Sequence, residues 1–192
     1  AFLFLKRWDS YPVLLILLIN LCSSIYLLYQ LFLKKRIVFS TEREKLGLMI
    51  RYPIFSMCFL GALPFYNGIY HPFIIISVLL IIWVNDSFAF IVGKNFGKKK
   101  LFESVSPKKT VEGFVGGLLF SLLVSYFISL YYKDFSLLTW LILAALIAVL
   151  GTLGDLVESK FKRQVNIKDS GTIMPGHGGI LDRLDSLLFV AP

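Results

Sequence analysis

The chain has 192 residues, of which 57% are hydrophobic and only 17% charged, against about 45–50% apolar and about 25% charged in ordinary soluble domains. A water-soluble monomer could not cover that apolar surplus, so the composition points to an integral membrane protein and excludes a disordered chain, a collagen, a coiled coil and a small disulfide scaffold. The net charge of +8 sits in a few loops between apolar runs, where it sets membrane orientation or meets anionic ligands at the lipid surface rather than nucleic acid.

A spanning helix needs about 20 mostly apolar residues. In chain order that length predicts spans over 11–33, over 46–66 with Arg51 placed to snorkel near its start, over 72–92 with Asp86 near its end, over 111–132 and over 137–156, and the opening of a further helix from 180 to 192. The runs are continuous rather than alternating and too long for barrel strands. The fold class is therefore all-α: a polytopic transmembrane helical bundle with cytoplasmic catalytic loops, forming a single integral-membrane domain over 1–192. A start at Ala1 and a stop at Pro192 inside an apolar run suggest a fragment that lacks N-terminal helices and the end of the last one. Cys22 and Cys58 lie within apolar runs and suggest neither a disulfide framework nor zinc.

The connections alternate in charge. Residues 34–45, 93–110 and 157–179 are rich in Lys and Arg, whereas 67–71 carry none and 133–136 carry one. By the positive-inside rule the three basic loops are cytoplasmic, with Lys6 and Arg7 a mild exception.

Four polar features stand out against this background. The first is Asp86 within Trp83-Val84-Asn85-Asp86-Ser87: a carboxylate at membrane depth is costly and marks function unless a neighbouring lysine simply pairs with it. The second is Ser106-Pro107-Lys108-Lys109-Thr110, followed by Glu112-Gly113. It puts two lysines and two hydroxyls at the start of a helix, either as a phosphate cradle or as a basic loop that only fixes topology. Gly113, Gly116 and Gly117 then permit close helix packing. The third is Gly154 to Arg163, where Asp155, Glu158, Ser159 and Lys162 share one helical face; the plain alternative is a solvated helix end with a Glu158–Lys162 pair. The fourth runs from Lys168-Asp169-Ser170-Gly171 through Pro175-Gly176-His177-Gly178-Gly179 to Leu181-Asp182-Arg183-Leu184-Asp185-Ser186, in which Asp182, Asp185 and Ser186 face one way. His177 is open between ligand, acid and loop hydrogen-bonder.

Taken together, carboxylates offer hard oxygen ligands to Mg²⁺, lysines and arginines neutralise phosphate, and glycines offer backbone N–H groups. The reaction class is metal-assisted phosphoryl or nucleotidyl transfer at the cytoplasmic surface. Physical reasoning names neither nucleotide nor acceptor.

The stretch Ser159-Lys160-Phe161-Lys162-Arg163, Lys168-Asp169 and Pro175 to Asp185 closely resembles the signature of phosphatidate cytidylyltransferases, also called CDP-diacylglycerol synthases. Ser106 to Gly113, Gly116-Gly117 and Trp83-x-x-Asp86 resemble that family as well, so the likeness spans about residues 80–190. The resemblance implies CMP transfer from CTP to phosphatidic acid, giving CDP-diacylglycerol and pyrophosphate. It implies dependence on Mg²⁺ held by Asp155 and Asp182, with a monovalent cation such as K⁺ nearby. It also implies a homodimer in the bilayer, in bacteria the inner membrane. On that footing Lys162, Arg163, Lys168 and Arg183 are expected phosphate contacts in the catalytic set, with Asp169 and Asp185 supporting them. Ser106, Lys108, Lys109, Thr110, Ser159, Lys160, His177, Gly178, Gly179 and Asp86 are expected to bind substrate. The competing readings are a CTP-dependent polyprenol or phytol kinase, a CDP-archaeol synthase, an ion-coupled transporter and an inactive scaffold. The gathering of charge at one membrane face disfavours the transporter, which would place it at the midplane.

Overall fold

The structure, a computed structural model, describes residues 11–33, 41–66, 69–164, 166–167 and 181–191. It is 80% helical, and four of its helices are long and apolar enough to cross a membrane.

The first, α1 (Tyr11–Leu33), buries Leu17, Asn20, Ser24, Leu27 and Leu31, at helical spacing, and turns Leu18, Leu21, Ile25 and Phe32 outward. Leucine on both faces is what a helix between protein and lipid requires. The second predicted span is helical but broken. It forms α2 (Glu42–Ile50), a π-turn at Arg51–Phe55 and α3 (Ser56–Ala62). Pro53 lies inside the π-turn: it has no N–H to donate and its ring crowds the preceding turn, so the ladder widens there. The helix then stops at Ala62, and β1 (Phe65–Tyr66) pairs antiparallel with β2 (Ile69–Tyr70).

Pro72 opens α4 (Pro72–Phe96) at the helix start, where its missing N–H costs nothing. A second hairpin follows, β3 (Lys100–Phe102) with β4 (Ser106–Thr110). The second hairpin lies in a connection, but β1 takes the last two residues of the predicted 46–66 span, so the exclusion of strands holds for the other spans and fails at the end of that one. Pro107 fits β4 because a strand of a two-stranded sheet always has a free edge. The Thr110 side chain caps α5 (Val111–Tyr131) by accepting from Gly113 N–H at 3.1 Å. After a short turn, α6 runs from Leu137 to Gln164, and α7 (Leu181–Val190) packs against it.

Gly113 and Gly117 let α5 close on α4. A Cβ at Gly113 would lie 2.6 Å from the Ala89 carbonyl oxygen, and one at Gly117 would lie 2.8 Å from that of Asn85. This is the close approach expected of those glycines. The central element is α6, which touches α1, α4, α5 and α7. Its first half joins an apolar cluster with Val78, Ile81, Trp140, Ala144 and Ile147. Its second half joins another with Leu27, Leu31, Tyr52, Val105, Leu156, Val157, Leu188 and Phe189. Side-chain contacts from β4 to Asp155 and from Lys160 to the end of α1 bring the C-terminal ends of α1, α4 and α6 and the start of α5 to one face. That is the arrangement the alternation of basic loops requires.

Candidate active site

At that face a cleft of about 650 Å³ opens between α4, the β3–β4 hairpin, α5, α6 and α7. Helical spacing on α6 turns Asp155, Glu158 and Lys162 the same way. The Ser159 hydroxyl reaches Asp155 Oδ1 at 3.4 Å, and Lys162 Nζ pairs with Glu158 Oε2 at 2.7 Å. Glu158 is only 3% exposed, so this is a buried ion pair and not the solvated one a helix surface would give.

The second acidic contribution comes from α7. Gly154 permits it: a Cβ there would lie 2.6 Å from Phe189 Cβ and 2.8 Å from the Asp185 carbonyl oxygen. With no side chain at 154, α7 settles onto α6. Carboxylate oxygens of Asp155, Glu158 and Asp185 then all lie within 4.8 Å of one another. Three carboxylates at this spacing repel unless cations stand among them. One such cation is Lys109 on β4, which forms an ion pair with Asp155.

The remaining walls carry the anion-binding groups. Lys94 from α4, Lys100 from β3 and Ser106, Lys108 and Thr110 from β4 all line the cleft. Asp86 lines it from α4 and accepts from Asn85 Nδ2 at 3.2 Å. Glu112 holds the turn before β3 by accepting from the main-chain N–H of Lys98 at 3.0 Å and of Lys99 at 3.2 Å. The backbone of the basic turn is thereby fixed while its lysine side chains stay exposed.

The donor set suits a hard divalent cation. Asp155, Glu158 and Asp185 offer only carboxylate oxygen, which Mg²⁺ prefers, and among the described residues no Cys or His lines the cleft to favour zinc. Position 182 lies one turn before Asp185 on α7.

Of the residues expected at the site, Asp86, Ser106, Lys108, Lys109, Thr110, Asp155, Lys162 and Asp185 line the cleft, and Ser159 touches it through Asp155. Lys160 and Arg163 do not join them. At about 100° per residue, position 160 points away from 158 and 162. The Lys160 ammonium, on a residue 6% exposed, donates to the carbonyls of Gln30 and Leu31 at 2.8 Å each. Arg163 donates to the Ile167 carbonyl at 3.5 Å, and both line a separate recess beside α1. Lys168, Asp169, His177, Gly178, Gly179 and the side chains of Asp182 and Arg183 lie outside the described residues. Sequence reasoning left Glu158, Lys94, Lys100 and Gly154 out of the site. Glu158 had a signal, its shared face with Asp155, but the pairing with Lys162 explained it equally well.

A sequence model of the cytidylyltransferase family matches residues 1–192. The phosphatidate cytidylyltransferase of Staphylococcus haemolyticus is 51% identical over 120 residues, which is 62% of this chain and 46% of that protein. The enzyme of the same name from Staphylococcus aureus gives the same figures, and that of Staphylococcus epidermidis is 50% identical over 120 residues. The matched segment thus spans about half the length of these curated relatives. With the family match running over the whole chain and a cleft of acidic and cationic side chains at one end of the bundle, the chain belongs to the cytidylyltransferase family.

Proposed function

We propose that the protein transfers CMP from CTP to phosphatidic acid, releasing pyrophosphate and forming CDP-diacylglycerol, in a bacterial inner membrane with the cleft on the cytoplasmic face. The observation that carries this reading is the convergence in one cleft of Asp155 and Asp185, with the buried Glu158 against them, and of Lys94, Lys100, Lys108, Lys109 and Lys162. The relatives' name supplies the substrates.

The work left to the chain is positioning and charge neutralisation. A phosphate oxygen of phosphatidic acid, already anionic near neutral pH, attacks the α-phosphorus of CTP. A new P–O bond forms as the bond to the bridging oxygen breaks, and pyrophosphate leaves with that electron pair. No strong general base is needed. Lysines on α4, β3, β4 and α6 hold two polyanions that would otherwise repel each other. Asp155, Glu158 and Asp185, together with Asp182 by its position, are the residues that would hold Mg²⁺, which when bound polarises phosphate and neutralises developing charge. Asp86 and Asn85 close the cleft on the α4 side.

The test is direct. Protein in lipid nanodiscs is given phosphatidic acid, Mg²⁺ and CTP labelled in its α-phosphate. Label is expected in the lipid, with pyrophosphate in solution, and EDTA should stop the reaction until Mg²⁺ is restored. With a polyprenol supplied as well, label left in CDP and the γ-phosphoryl on the polyprenol would replace this reading with a lipid kinase. Turnover unaffected by chelation would remove the metal from it.

A further inference from the structure

Two of the cleft's lysines contact the carboxylates rather than open space. Lys109 pairs with Asp155, and Lys162 Nζ lies 2.7 Å from Glu158 Oε2. Three carboxyl groups gathered within 4.8 Å thus already have two ammoniums against them. An ammonium and a divalent cation are alternatives at the same oxygens. Placing a dication beside two ammoniums in a partly buried cleft sets like charges a few ångströms apart, where repulsion is several-fold stronger than in water. Lysine suits such an exchange because its charge sits at the end of a flexible four-carbon stem. The stems of Lys109 and Lys162 both reach the cleft, and their side chains are 25% and 15% exposed.

We propose that Lys109 and Lys162 are exchangeable counter-ions of the acidic cluster. They compete with a divalent cation for Asp155 and Glu158, and the triphosphate of a nucleotide draws the two ammoniums away, so that cation and nucleotide bind with positive cooperativity. The proposal rests on the nucleotidyl-transfer reading of the cleft for the identity of the polyphosphate, but the exchange itself is a property of these four side chains. Because binding linkage is reciprocal, each ligand tightens the other by the same factor, typically about 5–150-fold. It makes the order of events at the cleft follow from charge: a dication alone meets two ammoniums, and a polyphosphate alone meets three carboxylates.

The experiment measures Mn²⁺ affinity without nucleotide, by electron paramagnetic resonance, on the full chain in nanodiscs. Lys109→Met and Lys162→Met should each bind Mn²⁺ at least several-fold more tightly than wild type, within the same coupling range, while Lys109→Arg, which keeps the charge, should bind as wild type does. Methionine variants that fold, by melting temperature and elution profile, and bind Mn²⁺ no more tightly than wild type would overturn the proposal. A second measurement needs no variant: Mg²⁺ without nucleotide should raise the acylation of Lys109 and Lys162 by a soluble ester, relative to Lys98, and unchanged labelling would equally overturn it. Neither arm contains CTP. Failure of CMP transfer would therefore leave their outcome standing, and their failure would leave CMP transfer standing.

Discussion

Asp155 is where the cleft's contacts meet. Its carboxylate takes the Ser159 hydroxyl on one side and Lys109 on another, and it shares a 4.8 Å cluster with Glu158 and Asp185. Asp155→Asn keeps the shape and removes the charge. CMP transfer is expected to fall by about 10²–10³-fold, the loss typical of removing one electrostatic stabiliser, with melting temperature and membrane yield unchanged; a labelled-CTP assay beside a thermal melt checks both. Asp155 was legible in the sequence through its match to the family signature, since by itself the end of an apolar run read equally as a solvated helix end. Glu158 was not, because one helix's sequence does not say what a second helix will bring against it. Lys160 shows the converse: it sits inside the recognisable signature, yet its ammonium serves main-chain carbonyls of α1.

Helix contacts set the position of these side chains, and glycines set the contacts. A Cβ at Gly154 would meet Phe189 and the Asp185 carbonyl, so Gly154→Ala is expected to push α7 off α6 and separate Asp185 from Asp155. Activity should fall further than stability does. Gly113→Ala meets the Ala89 backbone and should lower stability by about 1–3 kcal/mol, the usual cost of overpacking. Gly61 meets nothing within 4 Å, so Gly61→Ala in α3 should instead raise stability by about 0.5–1 kcal/mol. Thermal melts of the three variants in one lipid composition, with turnover alongside, test the set. The hairpins and the π-turn were the elements the sequence concealed. A short β3–β4 pair depends on a partner strand and not on periodicity, and Pro53 announces a fault in the ladder without saying whether the helix will kink, widen or end.

For the molecule as a whole, the apolar runs were the most legible part. A chain crossing hydrocarbon must satisfy its own backbone, so length and hydropathy alone pick out α1, α4, α5 and α6. How α1 joins the rest was hidden. It docks through apolar contacts and through Lys160, whose ammonium is held by the carbonyls of Gln30 and Leu31. Lys160→Met should therefore cost about 1.5–3 kcal/mol, the range for charged hydrogen bonds. It should leave the KM for CTP unchanged, and a melt with a substrate titration would show a raised KM instead if the residue held phosphate. The length of α6 has its own consequence. Its 28 residues extend about 42 Å at 1.5 Å per residue, whereas the hydrocarbon layer is about 30 Å thick. Counted from Leu137, about 20 residues fill that layer, so the turns beyond Leu156 reach past it into the headgroup zone, with Asp155 at its edge. A lipid's own phosphate resides at that depth, so an acceptor can present its reacting oxygen while both tails remain among its neighbours.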